Sequence, residues 1–134
     1  MEAKMKTIEW NDSYKTGIET IDNQHKGLFD LINQLSKELD ENQEKKILEK
    51  TIEKLFDYTK YHFSTEEYLM RKANYERYDE HKKAHDLFSN KVKEFIIAYS
   101  EGKENLTEDI IVFLIDWISN HILKVDKEYI SYLK

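Results

Sequence analysis

The 134-residue chain contains no cysteine and no proline, and only three glycines. Without cysteine there are no disulfides, no thiolate metal ligands and no cysteine nucleophile. Strand-rich domains need frequent turn residues, so the dearth of proline and glycine turns the composition toward an all-α fold. Basic charge is also in the minority, with a net charge of −6. Nucleic-acid phosphates need a basic face, so a nucleic-acid partner is not expected. Long apolar runs are missing as well. The longest candidate, Ile110 to Ile118, includes Asp116 and falls well short of the ~18 residues of a membrane span, so no membrane partner is expected. MEAKMKTIEW has no apolar core of a secretory signal. The lack of cysteine fits a reducing compartment, and a cytoplasmic location is the expectation.

What is present is 40% hydrophobic and 36% charged residues, enough apolar material for one domain of this length. Apolar residues recur in alternating steps of three and four over four segments, which places them on one face of a helix. The first runs from about Thr20 to Leu39, with a stripe of Ile21, His25, Leu28, Ile32, Leu35 and Leu39. Thr20 is the expected N-cap. The second runs from about Glu44 to Lys72, with Leu48, Ile52, Leu55, Thr59, His62, Glu66 and Leu69 in line, and Asn74 closing it. The third spans about Tyr78 to Ser100, with Tyr78, His81, His85, Phe88, Val92, Phe95 and Tyr99, followed by Gly102.

A fourth helix is expected to start near Thr107 as N-cap, with Leu106 and Ile111 spaced for a hydrophobic staple. Its inner face carries Ile110, Leu114, Trp117 and His121, and a short helical piece around Lys127 to Leu133 follows. Short links between four helices predict an up-down-up-down bundle. Residues 1–19 read as an extended arm that lies across the bundle and buries Trp10. The whole chain, 1–134, is expected to be a single domain.

The apolar stripes carry polar residues at matching depths: His25 on the first, His62 and Glu66 on the second, His81 and His85 on the third, and His121 on the fourth, with Asp126 after it. Burying one such group without a partner is costly, and burying this many toward one axis requires a shared partner. A metal site supplies it. His62 with Glu66, and His81 with His85, are i, i+4 pairs that aim two ligand heads at one point. His121 and Asp126 stand five apart, about 140° around a regular helix, so the helix must widen locally or bend between them. Taken singly, His62 with Glu66 is an ordinary hydrogen-bonded pair, and Asp126 beside Lys124 and Lys127 is solvated charge. Taken together, all five histidines fall where four helices converge. The set exceeds the four ligands of a structural zinc and suits two metals. Imidazole serves iron, zinc and copper alike, so ligand type leaves the metal open.

At this point the sequence resembles the hemerythrins, particularly the single-domain bacterial ones. The resemblance runs through Trp10, Gly17-Ile18, Ile21-Asp22-x-Gln24-His25-Lys26, His62-Phe63-x-x-Glu66-Glu67, His81-x-x-x-His85 and His121-x-x-x-x-Asp126. It implies a non-haem site of two iron ions that binds dioxygen reversibly, for storage, delivery or sensing. By the same resemblance His81, His85 and His121 hold one iron, and His25 and His62 hold the other, which keeps an open position. Glu66, Asp126 and an oxo or hydroxo group bridge them. Leu28, Phe63, Trp117, Ile118 and Ile122 form the wall of an oxygen pocket, though ordinary core packing would also explain them. Many bacterial members have proline after the tyrosine that links the second and third helices, where this chain has Tyr75-Glu76. That departure touches loop geometry and not the ligands.

An enzyme is the competing reading, a di-iron oxidase or peroxidase of the ferritin-like kind. Those sites use Glu-x-x-His from two helices. No histidine here has glutamate three residues before it; the residues at that offset are Asp22, Thr59, Tyr78, Lys82 and Ile118. Nitric-oxide chemistry and simple iron or zinc handling compete as well. A monomer is expected, with an unidentified protein as a conceivable acceptor of the oxygen.

Overall fold

The computed structural model describes residues 7–41, 43–102 and 106–122. Four helices follow a single 3-10 turn at Asp12–Tyr14: α1 (Glu19–Asp40), α2 (Lys45–Lys72), α3 (Tyr78–Ser100) and α4 (Leu106–Asn120). α1 packs on α2 and α4, and α3 packs on α2 and α4. Neighbours run antiparallel: late α1 meets early α2 where Thr51 donates to Glu38, and late α2 meets early α3 where Glu67 accepts from His85. The bundle expected from the sequence is the one observed. Among the described residues no helix is long and apolar enough to cross a membrane. Lys127 to Leu133, expected as a last helical piece, lie outside the described residues.

The stripes explain which faces turn inward. Ile21, Ile32, Leu35, Ile52, Leu55, Phe88, Val92, Ile110 and Leu114 are all buried. Each side chain of this kind contributes roughly 1.5–3 kcal/mol on burial. The apolar core is split in two. The larger cluster takes in Leu28, Leu35, Leu48, Leu55, Phe88, Val92, Ile110 and Ile118, and a smaller one joins Ile21 and Met70 with Ile18, Leu69, Tyr75 and Tyr78. His25 follows Ile21 by one turn, Glu66 precedes Met70 by one turn, and His81 follows Tyr78 by three residues. The polar layer therefore lies between the two clusters, sealed from solvent on both sides.

Helix ends follow local chemistry. α2 stops in a Schellman motif: Asn74 takes the left-handed conformation (φ 55°), Tyr75 N–H donates to Met70 O at 2.9 Å, and Asn74 N–H donates to Arg71 O at 3.1 Å. α3 is closed at Gly102, also left-handed (φ 87°), whose N–H donates to Tyr99 O. Two expected caps are corrected. Thr20 lies inside α1, whose N-cap is Ile18 with no side-chain cap bond. The turn is organised instead by Asp22, which accepts from Thr16 N–H (2.8 Å), Thr16 Oγ1 (2.7 Å) and Gly17 N–H (3.3 Å). Gly17 at φ 89° lets the chain fold back around that carboxylate. Thr107 also lies inside its helix, because α4 already begins at Leu106. The Leu106 side chain, and with it the expected staple to Ile111, lies outside the described residues.

The arm crosses the bundle, but its buried apolar residues are Ile8 and Tyr14, with Trp10 half-buried. Ile8 is clamped at both backbone groups by Asn33, N–H to Oδ1 at 2.8 Å and O from Nδ2 at 2.9 Å. Tyr14 meets Phe29 edge-on at 5.0 Å and reaches Ser119 of α4 through its hydroxyl at 3.4 Å. Trp10 covers both rings from outside, with the Lys26 ammonium 5.1 Å from its own ring. Its indole is amphipathic, so a half-exposed position on top of the smaller rings suits it better than burial.

Candidate metal centre

Six of the seven expected ligands fall within the described residues, and the bundle brings all six together. Donor atoms of Glu66, His81, His85 and His121 lie within 4.8 Å of one another, and so do those of His25, His62 and Glu66. Glu66 belongs to both groups. All six residues are buried. Asp126 lies outside the described residues. The last described turn before it, at His121 and Ile122, is π-helical, a local widening of the kind that the five-residue spacing demands.

Hydrogen bonds fix which ring nitrogens face inward. Thr65 Oγ1 donates to Tyr61 O at 3.1 Å, so toward Gln24 it accepts, from Nε2 at 3.3 Å. The Gln24 amide oxygen is thereby turned to His62 Nδ1 at 2.7 Å. An amide oxygen only accepts, so His62 carries its proton on Nδ1 and presents a bare Nε2. Glu67 Oε2, 2.9 Å from His85 Nδ1, imposes the same tautomer there. The inner atoms then converge. His62 Nε2 is 3.0 Å from Glu66 Oε1, and His85 Nε2 is 3.5 Å from the same oxygen and 3.1 Å from His121 Nε2.

Lone pairs and a carboxylate crowded like this repel unless positive charge sits among them. Neighbouring ligands on one ion with bonds of about 2.0–2.2 Å stand at such separations. The donor set fits a metal, and the sharing of Glu66 fits two.

Aromatic plates hold the ligand rings. Phe63 stacks on His85 at 3.7 Å with planes 2° apart, and Trp117 stacks on His121 at 4.2 Å and 13°. Phe88 braces both plates, at 5.5 Å from Phe63 and 4.2 Å from Trp117. His81 stands nearly perpendicular to His85 and to His121, at 83° and 80°. His25 meets His62 at 4.6 Å and 70°.

Beside this layer is a cavity of about 10 Å³, lined by Leu28, Phe63, Trp117, Ile118 and Ile122 together with His25, His62, His121 and Thr59. That volume is at the lower limit for a single water-sized molecule. Spacing marks Thr59 only as a member of the helix stripe. Its hydroxyl donates back to Leu55 O at 2.7 Å, so it offers the cavity no hydrogen. Gln24 and Glu67 belong to the hemerythrin-like motif, but nothing in that motif's spacing assigns them a task. Their task depends on contacts between helices, which spacing within one helix does not encode.

Residues 16–133 match the model of the hemerythrin HHE cation binding domain. The chain is 37% identical to a bacteriohemerythrin of Pseudomonas aeruginosa, across 95% of this chain and 82% of that protein. It is 34% identical to a bacteriohemerythrin of Clostridium acetobutylicum, across 91% and 98%. It is 31% identical to a myohemerythrin of Theromyzon tessulatum, across 90% and 89%. Among solved structures, wild-type hemerythrin superposes with a TM-score of 0.86 at 31% identity, covering 94% of this chain and 97% of the other.

Proposed function

The chain belongs to the hemerythrin family, whose domain implies a non-haem di-iron cofactor, and from that premise we propose that it binds dioxygen reversibly. In this reading His81, His85 and His121 hold one iron and His25 and His62 hold the other. Glu66 and Asp126 bridge the pair, with an oxo or hydroxo group. The observation that carries the proposal is the position of the cavity: its lining includes both histidines of the group with fewer donors, His25 and His62, and one of the other group, His121. The role is storage, delivery or sensing, exercised by one domain acting as a monomer and passing oxygen to a protein acceptor.

Two ferrous ions, when bound, supply the electrons that hold oxygen reversibly. The chain supplies the surroundings. Leu28, Phe63, Trp117, Ile118 and Ile122 surround the cavity with apolar groups and exclude water from it. Thr59 keeps its hydroxyl proton on Leu55 O, so this hydroxyl does not protonate what enters. Gln24 and Glu67 hold the protons of His62 and His85 on Nδ1, away from the site. Phe63 and Trp117 keep the planes of His85 and His121 from rotating. A site rich in imidazole favours the ferrous state over high-valent iron, and this points away from an oxidase.

The test is to purify the protein without oxygen, count iron per chain, and then admit and remove oxygen while recording the visible spectrum. Bands that come and go with oxygen support the proposal. Continuous oxygen consumption in the presence of a reductant would make the protein an oxidase. Zinc, or iron indifferent to oxygen, would make it a metal-handling protein.

A further inference from the structure

The outer nitrogens of two ligand histidines are held by chemically different partners. His62 Nδ1 donates to the neutral amide of Gln24, which is buried on α1. His85 Nδ1 donates to the carboxylate of Glu67, whose side chain is 17% exposed on α2. The two hydrogen bonds are alike in length, 2.7 and 2.9 Å, and they impose the same tautomer. They differ in charge. A proton shared with an anion leaves more electron density on the imidazole and strengthens the inner nitrogen as a donor, whereas an amide does so far less.

We propose that Gln24 and Glu67 are opposed positioning residues that make the two metal positions unequal. Glu67 strengthens the hold of His85 on its ion, and the amide of Gln24 leaves His62 the weaker donor. This rests on the two-metal reading above and adds to it a direction. The ion on the His25–His62 side has fewer imidazoles and a neutral amide behind His62, so it is the more labile of the two. Gln24 is built for the task. Thr65 is committed as a donor to Tyr61 O, and this locks the amide with its oxygen toward His62.

The test is release of iron from the loaded protein to an excess of chelator, followed over time. The wild type is expected to hold two irons per chain and to lose them in two phases. Gln24→Glu adds a charge without changing shape: one carboxylate oxygen accepts from His62, and Thr65 turns its hydroxyl from Tyr61 O to donate to the other. It is expected to slow the fast phase about 10- to 100-fold and leave the slow phase alone. Glu67→Gln is expected to speed the slow phase by about the same range and leave the fast phase alone. Opposite effects from two shape-conserving changes are the signature of charge. A merely structural role would loosen the site and speed release in both.

If both variants accelerate release, or neither changes it while the wild type holds two irons, the inference is overturned. If Gln24→Glu does not fold by circular dichroism, Glu67→Gln near the surface decides alone. A wild type holding fewer than two irons overturns the two-metal reading first, and this inference with it.

Discussion

Leu28 is 2% exposed and forms part of the cavity wall beside His25 and His62. Replacing it with alanine has two separable consequences. The first is on stability. Truncating a buried leucine costs about 3 kcal/mol when neighbours relax only in part. For a chain of this length each kcal/mol moves Tm by about 3.5 °C, so a fall of roughly 10 °C is expected. The second consequence is on function. The cavity, at about 10 Å³, barely reaches the size of one water. Loss of the isopropyl end of the side chain opens room for a whole water next to the Thr59 oxygen.

One added hydrogen bond of about 1 kcal/mol to whatever charge leaves the site lowers the barrier enough for roughly a fivefold faster loss of the oxygenated form. The assay is the decay of the oxygenated spectrum in air. Leu28→Met serves as the control, because it keeps the volume and should keep the wild-type rate within about twofold. An unchanged decay rate in Leu28→Ala, alongside the expected drop in Tm, would refute the view that this wall keeps water out.

Other outcomes follow from the same geometry. His62→Ala is expected to abolish oxygen binding while the helical circular dichroism survives, with a Tm loss of about 3–10 °C; outright unfolding would mean that the site is mainly structural. Asp22→Ala strands Thr16 N–H and Gly17 N–H, and thermal unfolding should show a loss of about 3 kcal/mol, roughly 10 °C. A loss under about 1 kcal/mol would mean that the arm does not depend on this latch. Burial, then the nearby Tyr61, then Asp30 push the Tyr58 phenol above its ordinary 10.0. Because the folded value lies above the unfolded one, this stabilisation is complete below pH about 10 and is lost as pH rises through the folded value. Subtracting a Tyr58→Phe ultraviolet titration from the wild type should reveal one phenol ionising above that point; a missing phenol that ionises at or below it would contradict the assignment.

Much of this architecture is legible from spacing. The third helix occupies the residues its stripe predicts, Tyr78 to Ser100, because that stripe is unbroken and Gly102 ends it. The second matches its expected span to within a residue, since Asn74 in the left-handed conformation is a local signal. What escapes the sequence is what depends on contacts made across the fold. Thr20 has the residue type of a cap, but Asp22 organises the turn by reaching back to Thr16 and Gly17. Trp10, the largest ring of the arm, stays half-buried against Tyr14 and Phe29, while Ile8 and Tyr14 are buried.

The candidate site divides in the same manner. Its histidines and Glu66 stand out because polar residues on apolar stripes need a reason. Gln24, Glu67 and Thr59 do not stand out, because each acts through a partner that sequence spacing does not bring near.

The proposed function depends on two ions in one layer of the bundle, on either side of Glu66. The most direct measurement is crystallographic anomalous scattering at the iron absorption edge from protein grown with iron. Two peaks are predicted: one among Glu66, His81, His85 and His121, the other beside Glu66, His25 and His62. A single peak, or iron bound away from Glu66, would contradict the two-ion layer.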